Sequence, residues 1–260
     1  MILLSLKSDM QSSSIQSGKL TLESFKRNNV VRDIKRPFGN IPRRRSYLII
    51  CEGEQTEPNY FLSLKKCLPR RMVENIVVDG AGGSPDYLLK RAQEVVDARK
   101  RCGLPQFYNI WLVFDKDDFE HFEDTIIAVE SKNKEGVRKN ARACLSEHWH
   151  CAWSNEAFEI WYVLHFREQL GGGVSREKYK RMIEEDVRKY TGDSSYRYLK
   201  NDSSMFNRLH PYVRDAVCRA ERGLAKQMKE HGNDWSAMNP ATTVYVLVRE
   251  LLAYLQKGSV

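Results

Sequence analysis

The stretch Asn109 to Phe119, N-I-W-L-V-F-D-K-D-D-F, decides how the rest of the chain is read. Five apolar residues, Ile110 to Phe114, run straight into Asp115, Asp117 and Asp118. A short unbroken apolar run rich in β-branched and aromatic residues reads as a strand buried on both faces, the kind found in parallel sheets. The aspartates then fall at its C-terminal end, the edge where open α/β sheets bind ligands. On an extended chain Asp115 and Asp117 share one side, roughly 7 Å apart at Cα. Two carboxylates that close repel each other unless positive charge lies between them, and Lys116 points the other way if the strand continues. A hard divalent cation such as Mg2+ is the natural occupant. The competing reading is an acidic loop that caps the next helix, with Asp118 as N-cap.

Working outward, Tyr47 to Cys51 forms a second apolar strand, and it too ends in a carboxylate, Glu52. Gly53 permits a sharp turn after it. Thr56 is the predicted N-cap of the following helix, with Glu57 and Pro58 in its first turn and Phe61, Leu64 and Leu68 at core spacing. Glu54 and Glu57 are candidate supporting acids. Val73 to Asp79 reads as a third strand, and Ser84-Pro85 opens a helix with Leu88, Leu89, Ala92, Val95 and Val96 on its inner face. The Gly80 to Gly83 loop between them lacks the Lys-Ser/Thr ending of a P-loop, so an ordinary connection is favoured over a phosphate cradle.

Past the aspartates, residues 120–133 have helical character, Glu135-Gly136 reads as a break, and a second helical piece ends near His148. Trp149 to Trp153 is the fourth strand. The order β-α-β-α-β-α-β predicts a mostly parallel four-stranded sheet flanked by helices. Ser154-Asn155 then opens a predicted helix in which Phe158, Trp161, Tyr162 and His165 form an aromatic stripe of core type. Asn155 and Glu159 stand i, i+4 in it, near the same sheet edge, as supporting candidates. His148-x-His150 is a weak metal cue.

The chain has 260 residues, enough for one large domain or two small ones. Its net charge of +8 is concentrated: residues 1–45 carry ten Lys or Arg against three acids, a net +7. This basic arm is suited to phosphate contact, and Lys35, Arg36, Arg43, Arg44 and Arg45 are its candidate nucleic-acid-binding residues. No window approaches the apolar length of a membrane span, which points to a cytoplasmic protein with no membrane partner. The six cysteines form no C-x-x-C pair, so neither a disulfide framework nor a zinc module is indicated, and they are expected to be mostly buried. Gly171-Gly172-Gly173 reads as a hinge. Beyond it lie helical patterns over 175–190, 204–230 and 239–256, the last with Asn239 as cap and Pro240 at its first position. The expected organisation is a basic arm (1–45), an α/β catalytic domain (46–170) and an all-helical C-terminal subdomain (174–260).

The two carboxylate-tipped strands, E-G after the first and D-x-D after the third, resemble the Toprim fold of primases, topoisomerases and OLD-type nucleases. More closely, C-E-G-E-Q-T-E-P-N-Y-F (51–61), V-F-D-K-D-D-F (113–119), A-W-S-N-E-A-F-E-I-W (152–161) and N-P-A-T-T-V-Y-V-L-V (239–248) resemble the RloB family. The similarity covers roughly 46–260. It departs at Glu156, where the family shows proline, and in the charged stretch from Glu130 to Arg142, which has the character of an insertion. The resemblance implies a Toprim-like fold and an association with restriction loci and abortive phage resistance.

Together these readings point to a metal-dependent phosphodiesterase acting on DNA or RNA. Asp115 and Asp117 would hold Mg2+ or Mn2+, Glu52 would share the metal or act as acid or base, and Asp118 is a further ligand candidate. Gly53, Glu57, Lys116, Asn155 and Glu159 would support the site, with Lys116 against the phosphate. A noncatalytic Toprim-like effector subunit that binds a partner ATPase and nucleic acid is the alternative. An aspartate-nucleophile phosphatase is disfavoured, because its D-x-D normally sits on an early strand. Oligomeric state is left open.

Overall fold

In a computed structural model, which describes residues 46–73, 76–117, 122–139, 147–168 and 174–256, the Asn109 run is the middle strand of a five-stranded sheet. The strands β1 (Tyr47–Cys51), β2 (Ile76–Gly80), β3 (Asn109–Asp115), β4 (His148–Asn155) and β5 (Ala241–Thr242) lie in the order β2-β1-β3-β4-β5. The first four are parallel and β5 is antiparallel to β4. Nine helices accompany the sheet among the described residues: α1 (Thr56–Cys67), α2 (Arg70–Val73), α3 (Pro85–Arg101), α4 (Phe122–Lys139), α5 (Glu159–Val163), α6 (Arg176–Thr191), α7 (Met205–Leu209), α8 (Val213–His231) and α9 (Val244–Gln256). A 3-10 turn, His210–Tyr212, joins α7 to α8.

Every residue of β1 and β3 is buried, and the pleat explains why Tyr47–Cys51 and Ile110–Phe114 are apolar without a break. Tyr47, Ile49, Cys51, Trp111 and Val113 enter one core with α1 and α5 to α9. Leu48, Ile50, Ile110, Leu112 and Phe114 enter a second with α3 and α4. Successive side chains alternate between faces, so a strand covered on both sides needs an apolar residue at each position. The aromatic stripe behaves as expected: Phe158, Trp161, Tyr162 and His165 are all buried. At the start of β1, the Tyr47 hydroxyl donates to Glu250 Oε1 at 2.6 Å and lies 3.0 Å from the Tyr254 hydroxyl, which ties α9 to the sheet.

The sheet has five strands rather than four because Ala241 and Thr242, expected inside the last helix, pair with Asn155 and Ser154. Hydroxyls secure the pairing: Ser154 Oγ and Thr242 Oγ1 lie 2.9 Å apart, and Trp153 N donates to Thr243 Oγ1 at 2.9 Å. Residues 174–256 are therefore not wholly helical. α9 begins at Val244, and Asn239-Pro240, expected as its cap and first turn, is a cis peptide ahead of β5. The same pairing carries β4 through Asn155, where a helix was expected, and leaves only the short α5 after it. Gly136, the expected break, lies within α4. The third expected strand starts three residues late, since Val73 belongs to a helical turn. Gln55, not Thr56, is the N-cap of α1, because Thr56 Oγ1 is turned away to donate to Lys200 O at 3.2 Å. Among the described cysteines, Cys51 is buried and Cys151 half-buried, whereas Cys67, Cys102 and Cys218 are exposed at helix ends or surfaces; all five are free thiols. The expectation of general burial is thus corrected. The Gly171 to Gly173 hinge lies outside the described residues.

Candidate functional site

The chain passes from β1 to β2 on one side and returns to β3 on the other, so strand order reverses between β1 and β3. A crevice opens at the carboxyl ends of strands where that reversal occurs. Glu52 follows β1 and Asp115 ends β3 at this point. Glu52 N donates to Val113 O at 2.8 Å, and Asp115 N donates to Glu52 Oε2 at 2.9 Å. The two acids are thereby locked to adjacent strand ends by backbone bonds.

β3 stops at Asp115, so the alternation expected for Asp117 does not apply. Lys116 N instead donates to Ser154 O at 2.8 Å, and Asp117 takes a left-handed conformation at φ 38°. Asp is among the few residues that enter this region at modest cost. The turn brings the Asp117 carboxylate to the guanidinium that also holds Asp115: Arg176 Nη2 donates to Asp115 Oδ2 at 3.2 Å and to Asp117 Oδ2 at 3.3 Å. α1 contributes Glu57 and α5 contributes Glu159, both buried. Glu159 Oε1 accepts from the Tyr198 hydroxyl at 3.1 Å, whereas Glu57 Oε2 is buried with no partner. Glu52, Glu57, Asp115, Asp117, Glu159, Arg176 and Lys200 line one cleft of about 340 Å³. Gly53 lines it too, and a Cβ there would fall on the Glu57 carboxylate.

Burial, reinforced by the Asp117 charge and opposed by the backbone bond and Arg176, pushes the Glu52 carboxyl up to about 7. Burial and the neighbouring acids also raise Glu57 and Asp115. Burial alone would lower the Arg176 guanidinium, but Asp115, Asp117 and Glu159 reverse that and hold it charged.

A family model described as RloB-like protein matches residues 47–251, most of the chain. The chain belongs to the RloB-like family. No curated protein and no solved structure matches it. The matched span runs from β1 into α9, so every acid of the cleft and Arg176 fall within the family region.

Of the sequence candidates, Glu52, Gly53, Glu57, Asp115, Asp117 and Glu159 come together in the cleft. Asn155 does not: its Nδ2 donates to Ser236 O at 2.9 Å, because β4 continues where a helix was expected to set it beside Glu159. Lys116 does not line the cleft either, and its Nζ donates to Asp117 O at 3.2 Å. Asp118, Lys35, Arg36, Arg43, Arg44 and Arg45 lie outside the described residues. The histidine cue resolves at the start of β4: His148 and His150 stack on each other, with Tyr108 and Trp111 alongside, and burial lowers His150 to about 4. The Gly80 to Gly83 loop packs against Glu54 at Gly80 and Gly82.

Both cations of the cleft come from beyond residue 174 and were missed. Arg176 is the first residue of α6. A positive charge there opposes the helix macrodipole, and that local misfit after the Ser175 cap is the signal that was available. Lys200 had none, since a segment without regular structure delivers it across α1, with Asn59 Nδ2 donating to Asn201 O and Ser63 Oγ to Ser203 O.

The donor set suits a hard dication: carboxylate oxygens converge, Glu57 carries an orphaned buried oxygen, and acids outnumber cations among the described lining residues. Among the described residues, however, no group of three or more His, Cys, Asp or Glu is arranged to hold a metal ion. The chemistry of the donors fits, and Arg176 stands between two of them.

The acid excess has a measurable consequence. A carboxyl raised in the fold keeps its proton where the unfolded chain has lost it, so its contribution to stability falls as pH rises, for Glu52 from the ordinary 4.5 to about 7. Glu57 acts in the same direction. His150 and His165, lowered by burial, act oppositely, so the variant difference is the informative quantity. In EDTA, Glu57→Gln is expected to raise the Tm at pH 7.5 by roughly 2–4 °C. The gain should shrink at pH 5. An equal gain at both pH values, measured by thermal melts, contradicts a buried charged Glu57.

Proposed function

We propose that the chain is a metal-dependent phosphodiesterase of Toprim type that cuts nucleic acid, acting in a phage-defence or restriction-linked setting. The observation that carries the reading is the convergence of Glu52, Asp115 and Asp117 at the β1/β3 strand ends. Asp115 and Asp117 would hold Mg2+ or Mn2+, with Glu52 beside them. The bound ion would supply charge to the scissile phosphate and acidity to a water molecule. Glu52, with its carboxyl at about 7, is suited to take a proton from that water or return one to the leaving oxygen near neutral pH. Lys200, on the cleft wall, offers a charge to the phosphate. The +7 arm of residues 1–45 would add backbone affinity that falls with salt.

The test is cleavage of supercoiled DNA, single-stranded DNA and total transfer RNA with Mg2+ or Mn2+. Wild type is expected to cut at least one substrate, and Asp117→Asn to cut none while melting as a folded protein. Cleavage by Asp117→Asn equal to wild type removes the reading.

The noncatalytic alternative, an effector subunit that binds a partner ATPase and nucleic acid, has one observation in its favour. Arg176 already bridges the D-x-D pair, and no group of three or more His, Cys, Asp or Glu among the described residues is arranged to hold a metal ion. It is preferred if no substrate is cut with or without the ATPase.

A further inference from the structure

Arg176 holds the two acids to which the proposed metal is assigned. One guanidinium nitrogen, Nη2, lies within 3.2 Å of Asp115 and 3.3 Å of Asp117, the two acids assigned to the dication. Metal–oxygen distances of about 2.0–2.1 Å leave no room for a guanidinium bridging the same oxygens. Nothing about α6 favours the placement. Positive charge is disfavoured at a helix N-terminus, and Arg176 Nε is buried without an acceptor. The side chain is held there by the acids, and Asp115, only 7% exposed, needs some cation to remain there ionised.

We propose that Arg176 is an internal cation that occupies the metal-free site and competes with the dication for Asp115 and Asp117, thereby setting the metal affinity. The inference rests on the metal reading of this cleft and adds the residue that regulates it. Metal entry requires the guanidinium to leave, so the apparent affinity is reduced by the fraction of molecules in which the bridge is formed.

The experiment is Mn2+ binding to the full chain without nucleic acid, by calorimetry and by the paramagnetic resonance signal of free Mn2+. It compares wild type, Arg176→Gln, Arg176→Lys and Asp117→Asn. If the bridge is formed about nine times in ten, Arg176→Gln binds Mn2+ about tenfold more tightly, with Arg176→Lys between it and wild type. Metal-free Arg176→Gln should melt below wild type, and saturating Mn2+ should restore the loss, because one cation replaces the other. Should Arg176→Gln fail to fold without metal, recovery on adding Mn2+ supports the exchange, and the Arg176→Lys affinity decides it where no recovery occurs. Equal or weaker Mn2+ binding by the Arg176 variants, with binding abolished in Asp117→Asn, overturns the competition and leaves the metal site standing. No Mn2+ binding by any form overturns both.

Discussion

Glu52→Gln is expected to reduce cleavage by about a thousandfold or more while raising the Tm of the metal-free protein at pH 7.5. The two effects have one origin. Glu52 is held between β1 and β3 by the Asp115 amide, which donates to its Oε2. Glutamine keeps a carbonyl oxygen for that bond, so the strand ends remain joined. What disappears is a charge that burial and Asp117 make costly, together with the proton-transferring capacity of a carboxyl at about 7. Loss of activity with gain of stability is the mark of a group retained for chemistry rather than for folding. A Glu52→Gln protein that still cuts at the wild-type rate ends the assignment of Glu52. If biological activity survives in that variant while no cleavage is ever seen, the binding-subunit reading takes its place.

Trp161→Ala is the substitution expected to cost most in folding, about 3–5 kcal/mol in denaturant unfolding. Trp161 is wholly buried in α5, with ring centroids 6.3 Å from Tyr60 and 4.8 Å from His165. It belongs to the core shared by β1, β3, α1 and α6 to α9. α5 is a single short helix that turns Trp161 into that core and Glu159 into the cleft. The cavity left by alanine therefore opens two residues along the same short helix from an acid of the site. A cost below about 1 kcal/mol contradicts Trp161 as a keystone of this core.

The candidate site was legible where chemistry and strand ends coincide. Glu52 and Asp115 could be found because each closes an apolar run, and a strand buried on both faces cannot carry a carboxylate before its end. Asp117 was found for an incomplete reason. Pleat alternation was expected to place it beside Asp115, but the strand ends at Asp115 and a left-handed turn performs the alignment. Glu57 and Glu159 were visible as acids at helix starts, which need no function to explain them, and only their convergence on one cleft separates them from ordinary caps. Asn155 failed because helical spacing was applied to a residue that belongs to β4.

By itself the sequence determined the β/α alternation, the parallel sheet and the edge at which the acids gather. These follow from local quantities: apolar runs, turn residues and the period of side-chain burial. Tertiary structure alone decided the fifth strand, because Ala241-Thr242 is too short to carry a period and exists only by pairing with Ser154 and Asn155. It also decided the cation of the site. The sequence reading assigned a divalent cation to Asp115 and Asp117, with an acidic helix-capping loop as its competitor, and did not find the arginine. Arg176 reaches them from about sixty residues away, and no periodicity encodes a contact over that distance.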